Sequence, residues 1–241
     1  MPHTSKKARK SVINKSNKTI YIIAGVIIVI VAAAAGYFAI NSFRTTSSVV
    51  TTTTSGTTGT GQGDYAVINT TQGVMVAQLF PSVAPKTVAN FINLANSGFY
   101  NDLVWHRIVK GFAIQTGDPT TKNGGGNPST WGQTSSPNTV PLETNSTDVA
   151  EGYVNDAGYL GLARGQSNDS GSSQFFINLA NNPSLNGQYT VFGKLVSGMN
   201  VALAIGNLPV SSTCQQTQEL QCPPVNPSQA MVYSITIQNT P

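Results

Sequence analysis

The apolar and polar positions along the chain divide it into two parts. An uncharged apolar run of 21 residues extends from Ile20 to Ile40. As a helix at ~1.5 Å per residue it would span about 30 Å, the thickness of the hydrocarbon core of a bilayer. From Asp64 onward, short groups of alternating apolar and polar residues are separated by Gly, Pro and Asn, as in strands joined by turns. The sequence therefore predicts one transmembrane helix over residues 20–40 and a mainly β domain over residues 64–241.

The β domain contains eight segments with strand character and two with helical spacing. Pro85, which is tolerated in the first turn of a helix, precedes apolar residues at helical spacing from Val88 to Ala95. A second apolar group between Met199 and Ile205 predicts another short helix. Together they predict a closed eight-stranded antiparallel β-barrel capped by two α-helices, since closure leaves no exposed sheet edge. The predicted strands are 65–70, 74–79, 103–109, 112–116, 159–163, 174–178, 189–196 and 231–238.

The residues on either side of the apolar run predict its orientation. Six basic residues lie in the tail formed by residues 1–19, whereas only Arg44 closely follows the run. This asymmetry favours a cytoplasmic N-terminus and places the rest of the chain across the membrane. Residues 41–63 are rich in Thr, Ser and Gly, which predicts a flexible linker. We therefore expect a single-pass protein of the cell membrane whose folded domain lies outside the cytoplasm.

A cleaved signal peptide is the alternative to a permanent anchor, and the domain would then be secreted. Ala32–Ala35 provide small residues of the kind found at signal cleavage sites. The apolar run nevertheless continues through Tyr37 and Phe38, which favours an anchor that is not cleaved.

Charge and cysteine content limit the classes of function. The formal net charge of +4 reflects the basic tail, because residues 64–241 carry six basic and nine acidic residues, net −3. Without a basic stripe in the domain, we expect no nucleic-acid partner. The two cysteines, Cys214 and Cys222, are compatible with a disulfide, with two free thiols or with half of a metal site. An oxidising compartment would favour the disulfide.

Residues 105–118 place a cation among apolar residues that favour strands. Arg107 lies between Trp105 and Ile108, and Gln115 belongs to the next predicted strand. An arginine remains charged and offers five N–H donors in a rigid fork. A single arginine in a strand is usually solvated, so the meaning of Arg107 depends on the other motifs of the chain.

Three ordered motifs and one helical segment carry a family resemblance. The motifs are Trp-His-Arg-Ile-Val-Lys-Gly-Phe-Ala-Ile-Gln-Thr-Gly-Asp at 105–118, Ser-Ser-Gln-Phe-Phe-Ile at 172–177 and Leu-Asn-Gly-Gln-Tyr-Thr-Val-Phe-Gly at 185–193, with Ala-Pro-Lys-Thr-Val-Ala-Asn-Phe at 84–91. Over residues 65–238 the chain resembles the cyclophilin-type peptidyl-prolyl cis–trans isomerases, in particular bacterial-like members. The resemblance implies an eight-stranded barrel with two capping helices, in agreement with the pattern of strands.

The same resemblance implies a set of site residues. The catalytic residues would be Arg107, Phe112 and Gln115, and the substrate-binding residues Ala113, Ala163, Arg164, Phe175, Leu185 and Tyr189. Three of these depart from the family pattern, since Ala113 replaces a methionine, Arg164 an asparagine and Tyr189 a histidine. Ser184 stands where cyclosporin-sensitive members carry a tryptophan, which implies weak cyclosporin binding.

These residue types suit rotation about an X–Pro peptide bond. Rotation has a barrier of ~18–20 kcal/mol because it breaks amide resonance, but it makes and breaks no covalent bond. We therefore expect no nucleophile, metal or cofactor. In the twisted transition state the proline nitrogen regains a lone pair, to which Arg107 would donate while apolar residues hold the ring. Strand alternation directs His106 away from Arg107 and Phe176 away from Phe175, and we interpret both His106 and Phe176 as structural.

The combined pattern predicts a peptidyl-prolyl cis–trans isomerase that assists the folding of exported proteins outside the membrane. Its partners would be proline-containing polypeptides, and we expect a monomer. One alternative is a proline-peptide-binding or chaperone module with little turnover, because Ala113 and Ser184 loosen the pocket. Another is a surface protein that uses the barrel as a scaffold. The joint presence of Arg107, Phe112 and Gln115 favours the enzyme.

Overall fold

The computed structural model describes residues 64–211 and 222–241. Within these ranges there are nine strands: β1 (Tyr65–Thr70), β2 (Gly73–Leu79), β3 (Leu103–Val104), β4 (Arg107–Val109), β5 (Ala113–Thr116), β6 (Tyr159–Leu162), β7 (Phe175–Asn178), β8 (Val191–Ser197) and β9 (Met231–Gln238). The α-helices are α1 (Pro85–Asn96), α2 (Ser146–Ala150) and α3 (Met199–Gly206), and 3₁₀ turns cover Pro119–Gly124, Pro128–Thr130, Pro183–Leu185 and Pro227–Gln229. The predicted basic tail, transmembrane helix and linker lie outside the described residues. None of the helices in the described part of the chain is long and apolar enough to span a bilayer.

The strands form one antiparallel sheet in the order β3-β9-β1-β2-β8-β6-β7-β5-β4. The two edge strands, β3 and β4, are separated in the chain only by Trp105 and His106. The sheet therefore curls until one continuous segment supplies both of its edges. The predicted mainly β antiparallel fold is confirmed. The predicted closed eight-stranded barrel is not, because the sheet of the described residues has nine strands and its edge strands β3 and β4 do not pair with each other.

The prediction of a single strand over 103–109 is wrong. Trp105 N still donates to Ala230 O of the β9 side, whereas Ile108 N donates to Cys222 O. The chain bends between Trp105 and Ile108. The side chains of the consecutive residues Trp105 and His106 are both buried there, whereas a regular strand would direct them to opposite faces. The former predicted strand thus becomes β3 and β4.

The prediction of two helices is also incomplete, because α2 is a third. This helix has five residues and follows a capping box in which Asn145 accepts from Asp148 N, and the Asp148 side chain accepts from Asn145 N. None of its residues is buried. A helix so short carries no apolar periodicity, so the sequence pattern did not indicate it.

The core fills the inside of the curled sheet and is closed by α1 and α3. Five aromatic rings meet at its centre: the Phe175 ring lies 5.3 Å from that of Phe91, 5.5 Å from Tyr100, 5.8 Å from Trp105 and 6.2 Å from Phe192, each nearly perpendicular. Such edge-to-face pairs add about 0.5–1.5 kcal/mol each to the energy of burial. This aromatic cluster packs against the inner face of the sheet, so the sheet gives rigid support to the side chains on its outer face.

The long polar segment between β5 and β6 is tied to the rest of the domain at several points. Ser136 N donates to Ser173 Oγ, and Ser172 Oγ donates to Ser136 O. Further along, the carboxylate of Glu143 accepts from Lys86 N and Thr87 N. Glu143 therefore caps α1, whose own N-cap residue provides no side-chain hydrogen bond. The first half of the segment, called the wall segment below, lies beside the sheet. The second half stabilises the N-terminus of α1 through Glu143.

Cys222 is buried and takes part in a disulfide, while Cys214 lies outside the described residues. Cys222 O accepts from Ile108 N and so covers the outer edge of β4. None of the described residues forms a cluster of ligands suited to a metal ion.

His106 should make the stability of the domain depend on pH. Burial lowers the pKa of His106 to about 4, whereas an unfolded histidine titrates near 6.5. Between these values the unfolded state binds more protons, so the free energy of unfolding should fall as pH is lowered, by up to about 1.4 kcal/mol per pH unit. Urea unfolding at pH 4 to 7 measures this slope. His106→Gln should flatten it, and an equal slope in both proteins would contradict the assignment.

Candidate functional site

Four positions line up across neighbouring strands on the outer face of the sheet. Arg107 of β4 is opposite Gln115 of β5, which is opposite Phe176 of β7, which is opposite Gly161 of β6. Residues in register across strands project to the same face. This row therefore brings a cation, an amide and an aromatic ring together on a rigid support.

Arg107 begins the row and is left without a polar partner. It is partly buried, its Nε is buried, and its guanidinium makes no hydrogen bond or ion pair within the described residues. Its Cζ lies 5.9 Å from the centre of the Phe112 ring. Burial lowers the pKa of Arg107, although a guanidinium keeps its charge at neutral pH. The geometry provides a charged donor that has an apolar neighbour and is free to bind a ligand.

Gln115 lies opposite Arg107 in the neighbouring strand, but its side chain is hydrogen-bonded to Gln174. Its Nε2 donates to Gln174 Oε1 at 2.8 Å, and Gln174 Nε2 donates to Gly132 O and Thr134 O. The wall segment thus fixes Gln174, which fixes Gln115. Gln115 and Arg107 share no hydrogen bond, so Gln115 does not hold the guanidinium directly. The Gln115 Oε1 accepts no hydrogen bond from any described residue, so it remains available.

Next to this row lies a second apolar cluster, separate from the core, at the position of the predicted proline pocket. Its buried residues, against which Phe112 packs, are Ala113, Ala163, Phe176, Leu185 and Tyr189. The rings of Phe176 and Tyr189 are 5.7 Å apart and nearly perpendicular. Burial raises the pKa of Tyr189, while Arg164 and Arg107 lower it. The pocket is therefore lined by apolar surface and a neutral phenol, with a cation on two sides.

The assignment of Phe175 to the pocket is wrong. Phe175 has no exposed surface and belongs to the aromatic core, whereas Phe176, interpreted as structural, lies in the pocket cluster. The register explains the difference, because Phe176 and not Phe175 is opposite Gln115. The other predicted site residues, Arg107, Phe112, Ala113, Gln115, Ala163, Arg164, Leu185 and Tyr189, do lie around the pocket and its adjoining cavity.

Gly161 is part of the site although its lack of a side chain hid it from the sequence pattern. A methyl group added at Gly161 would overlap the ring of Phe176. The glycine therefore lets this ring lie flat across the sheet and form the floor of the pocket. A single glycine in a predicted strand is a weak signal of such a close approach.

Replacing Gly161 with alanine should impair the site. Gly161→Ala would displace the Phe176 ring, with an overpacking cost of about 1–3 kcal/mol and a loss of peptide binding. Unfolding in urea and titration with a proline tetrapeptide measure the two effects. In the double variant Gly161→Ala/Phe176→Ala the overlap is gone, so stability relative to Phe176→Ala alone should be little changed while binding stays weak. Unchanged binding by Gly161→Ala would contradict the arrangement.

A network of asparagines behind the pocket was also missed. Asn182 Nδ2 donates to Phe112 O at 3.1 Å and to Asn178 Oδ1 at 2.7 Å, and Asn155 N donates to Asn186 Oδ1 at 2.8 Å. These bonds connect Phe112 with the turn that carries Leu185. Asparagines in turns are common, so the sequence contained no signal that distinguished this set.

A cavity of about 210 Å³ adjoins the pocket. Its lining residues are Gln115, Gly132, Gln133, Ser135, Ala163, Arg164, Gly165, Ser170 and Gln174. Ala163 belongs both to this lining and to the pocket cluster. The wall segment and the loop after β6 therefore form a groove that continues from the pocket.

Comparison with known proteins gives the same picture. The family model described as cyclophilin type peptidyl-prolyl cis-trans isomerase/CLD matches residues 65–225. The chain is 36% identical over 156 residues to a peptidyl-prolyl cis-trans isomerase-like 1 of Aspergillus fumigatus, covering 64% of this chain and 89% of that protein. It is 39% identical over 158 residues to a peptidyl-prolyl cis-trans isomerase-like 2 of Rhizopus delemar, covering 65% of this chain and 27% of that protein. This chain thus spans only a minor part of the longer relative.

Solved structures show the same fold. A cyclophilin type peptidyl-prolyl cis-trans isomerase of Cryptosporidium parvum is 29% identical, with a TM-score of 0.59 over 74% of this chain and 99% of that one. The same protein in the presence of the dipeptide Ala-Pro gives a TM-score of 0.58 over 73% and 99%. The curated relatives named here come from fungi, so a bacterial-like character stays a prediction. With its curled antiparallel sheet, its ordered motifs and its matching family model, the chain belongs to the cyclophilin-type peptidyl-prolyl cis–trans isomerases.

Proposed function

We propose that this chain catalyses the cis–trans rotation of X–Pro peptide bonds in polypeptides. The observation that carries the proposal is the free guanidinium of Arg107 beside an apolar pocket. A proline ring fits the pocket formed with Phe112, Phe176, Leu185 and Tyr189, and Arg107 then donates to the proline nitrogen as the bond twists. The nitrogen has no lone pair to offer in the planar ground state, so this bond stabilises the transition state selectively.

Gln115 complements Arg107 in this proposal. Because Gln174 Oε1 accepts from Gln115 Nε2, the side-chain oxygen of Gln115 has a defined position. Gln115 binds the backbone around the X–Pro bond and limits how the substrate can rotate. Ala163 adds a strand-like backbone edge at the junction of the pocket and the cavity.

The size of the required effect is modest. Uncatalysed rotation takes tens to hundreds of seconds, so reaching ~10 s⁻¹ requires an acceleration of about a thousandfold, or ~4 kcal/mol. A charged hydrogen bond contributes about 1.5–3 kcal/mol. Apolar surroundings strengthen this bond because they exclude water. One arginine and a fitted pocket therefore suffice, without a metal or cofactor.

Peptide exchange measures the proposed activity. The full chain in detergent micelles is mixed with an Ala-Pro tetrapeptide, and exchange between cis and trans signals is recorded by NMR. Catalysis predicts exchange cross-peaks that grow with protein concentration and are absent with empty micelles. Exchange at the uncatalysed rate would contradict the proposal.

A proline-binding module with little turnover is a second candidate. One observation favours it: Gln115 is bound to Gln174 and leaves Arg107 without support from its strand partner. In the same NMR samples, saturable shifts of the peptide signals without faster exchange would favour this candidate.

We further propose that the domain acts on exported proteins outside the cell membrane, anchored through residues 20–40. The uncharged apolar run and the excess of basic residues before it support this placement. The mature N-terminus tests it. A chain that begins after Ala35 would show secretion, whereas an intact Met1 in the membrane fraction would support the anchor. We propose a monomer, whose concentration-independent mass in micelles is the corresponding check.

A further inference from the structure

Arg164 occupies a fixed position between the pocket and the adjoining cavity. Its Nε donates to Gln188 O at 2.8 Å, its Nη1 donates to Gly165 O at 3.0 Å, and its Cζ lies 5.2 Å from the centre of the Tyr189 ring. These three contacts hold the guanidinium beside the pocket residue Tyr189. Its Nη2 makes no hydrogen bond to any residue that the structure describes. Two N–H donors therefore remain for a ligand.

The cavity beside Arg164 is polar but otherwise uncharged. Its remaining lining consists of amide, hydroxyl, methyl and backbone groups, and Arg164 is the one charged residue among the lining residues. Its volume of about 210 Å³ is sufficient for one side chain of a bound peptide. Such a lining offers hydrogen bonds to many groups but a countercharge only to an anion.

The charge of this groove is opposite to that of the domain. Residues 64–241 carry six basic and nine acidic residues, yet the charged residues at the pocket and cavity are Arg107 and Arg164. Neither arginine forms an ion pair with a carboxylate of the described residues. A partly buried cation that has no carboxylate partner in the described protein favours a ligand which supplies one.

We propose that Arg164 selects proline peptides that carry an aspartate or glutamate two residues before the proline. This inference rests on the proposed function, in which Gln115 binds the backbone beside the X–Pro bond. Gln115 also lines the cavity, so the peptide that precedes the proline passes from Gln115 towards Arg164. A planar carboxylate there receives one N–H of Nη2 together with an N–H of a neighbouring side-chain amide.

Four matched peptides test the proposal. They carry Asp or Asn two residues before the proline, or Asp or Asn two residues after it, and are otherwise identical. With the full chain in micelles at low salt, the peptide with Asp two residues before the proline should show a KM about tenfold lower than the peptide with Asn at that position. The preference should shrink at high salt, because ions screen the partly exposed pair. The pair of peptides with the substitution after the proline should show no such difference.

Variants of Arg164 separate charge from shape. Arg164→Gln should bring the Asp-to-Asn ratio of KM close to one, and Arg164→Lys should retain part of the preference because it keeps the charge without the fork. An undiminished preference in Arg164→Gln would overturn the proposal, as would equal KM values in the wild type. A preference for Asp after the proline of the same size would overturn the assigned direction.

Failure of the proposed function is distinguishable from failure of this inference. If no peptide shows accelerated exchange, the dissociation constants of the same four peptides replace KM as the readout. Tighter binding of the peptide with Asp before the proline, lost in Arg164→Gln, would still support selection by Arg164. Equal dissociation constants would overturn it.

Discussion

Arg107→Ala should lower kcat/KM for a proline tetrapeptide by on the order of 100-fold or more while leaving stability almost unchanged. The side chain makes no hydrogen bond within the described protein, so its removal leaves no buried group without a partner. What is lost is the donor to the twisted nitrogen, and removal of one such transition-state donor costs about 10²–10³ in rate. Because the interaction is weaker in the ground state, the loss should fall on kcat more than on KM.

Two further variants serve as comparisons for Arg107→Ala. Arg107→Lys keeps the charge but shortens and narrows the donor set, so it should recover only part of the activity. Lys110→Ala removes an exposed cation three residues away and should leave kcat/KM within about twofold, as expected for a surface substitution. Protease-coupled peptide kinetics compare all four proteins, and urea unfolding controls for stability. Near-normal activity of Arg107→Ala would refute the role of Arg107.

Phe175→Ala should have the largest effect on stability, about 3–5 kcal/mol. Phe175 is fully buried, and its ring contacts those of Phe91, Tyr100 and Trp105 at centroid distances of 5.3, 5.5 and 5.8 Å. Truncation removes these edge-to-face contacts and leaves a cavity in the core. The midpoint of urea unfolding should fall strongly, and peptide binding by the protein that remains folded should change little.

Phe176→Ala is the matched control, because the two residues are identical and adjacent. Phe176 is on the outer face and lines the pocket, so its truncation should raise KM about tenfold or more through loss of apolar contact with the proline ring. The loss of stability should be clearly smaller than for Phe175→Ala. If Phe175→Ala impaired binding and Phe176→Ala destabilised the fold, the assignment of the two faces would be reversed.

The sequence predicted most strands because one buried face produces a clear alternation. Tyr65–Thr70 and Met231–Gln238 begin and end where the pattern placed them. The segment over 103–109 was predicted less well, since Trp105 and His106 are buried consecutively where the sheet turns from one edge to the other. Periodicity has no means of showing such a bend.

The site was predicted in outline but not in its details. Motif order identified Arg107 and Gln115, whereas the choice between Phe175 and Phe176 depended on which of them pairs with Gln115 across β5 and β7. Alternation determines that neighbouring residues face opposite ways, but the direction of each depends on the register of the partner strand. Gly161 escaped notice for a related reason, since its role is to leave space for another residue's ring.

A peptide titration followed by the backbone amide signals of the protein tests the central claim most directly. The claim is that the outer row of Arg107, Gln115, Phe176 and Gly161 supports a proline-binding site. With ¹⁵N-labelled full chain in micelles and an unlabelled Ala-Pro tetrapeptide, we expect saturable shifts at Gln115 and Phe176 and at the neighbouring pocket residues. Saturable shifts confined to another surface, such as that around Phe80 and Tyr153, would contradict the account, as would the absence of saturable shifts.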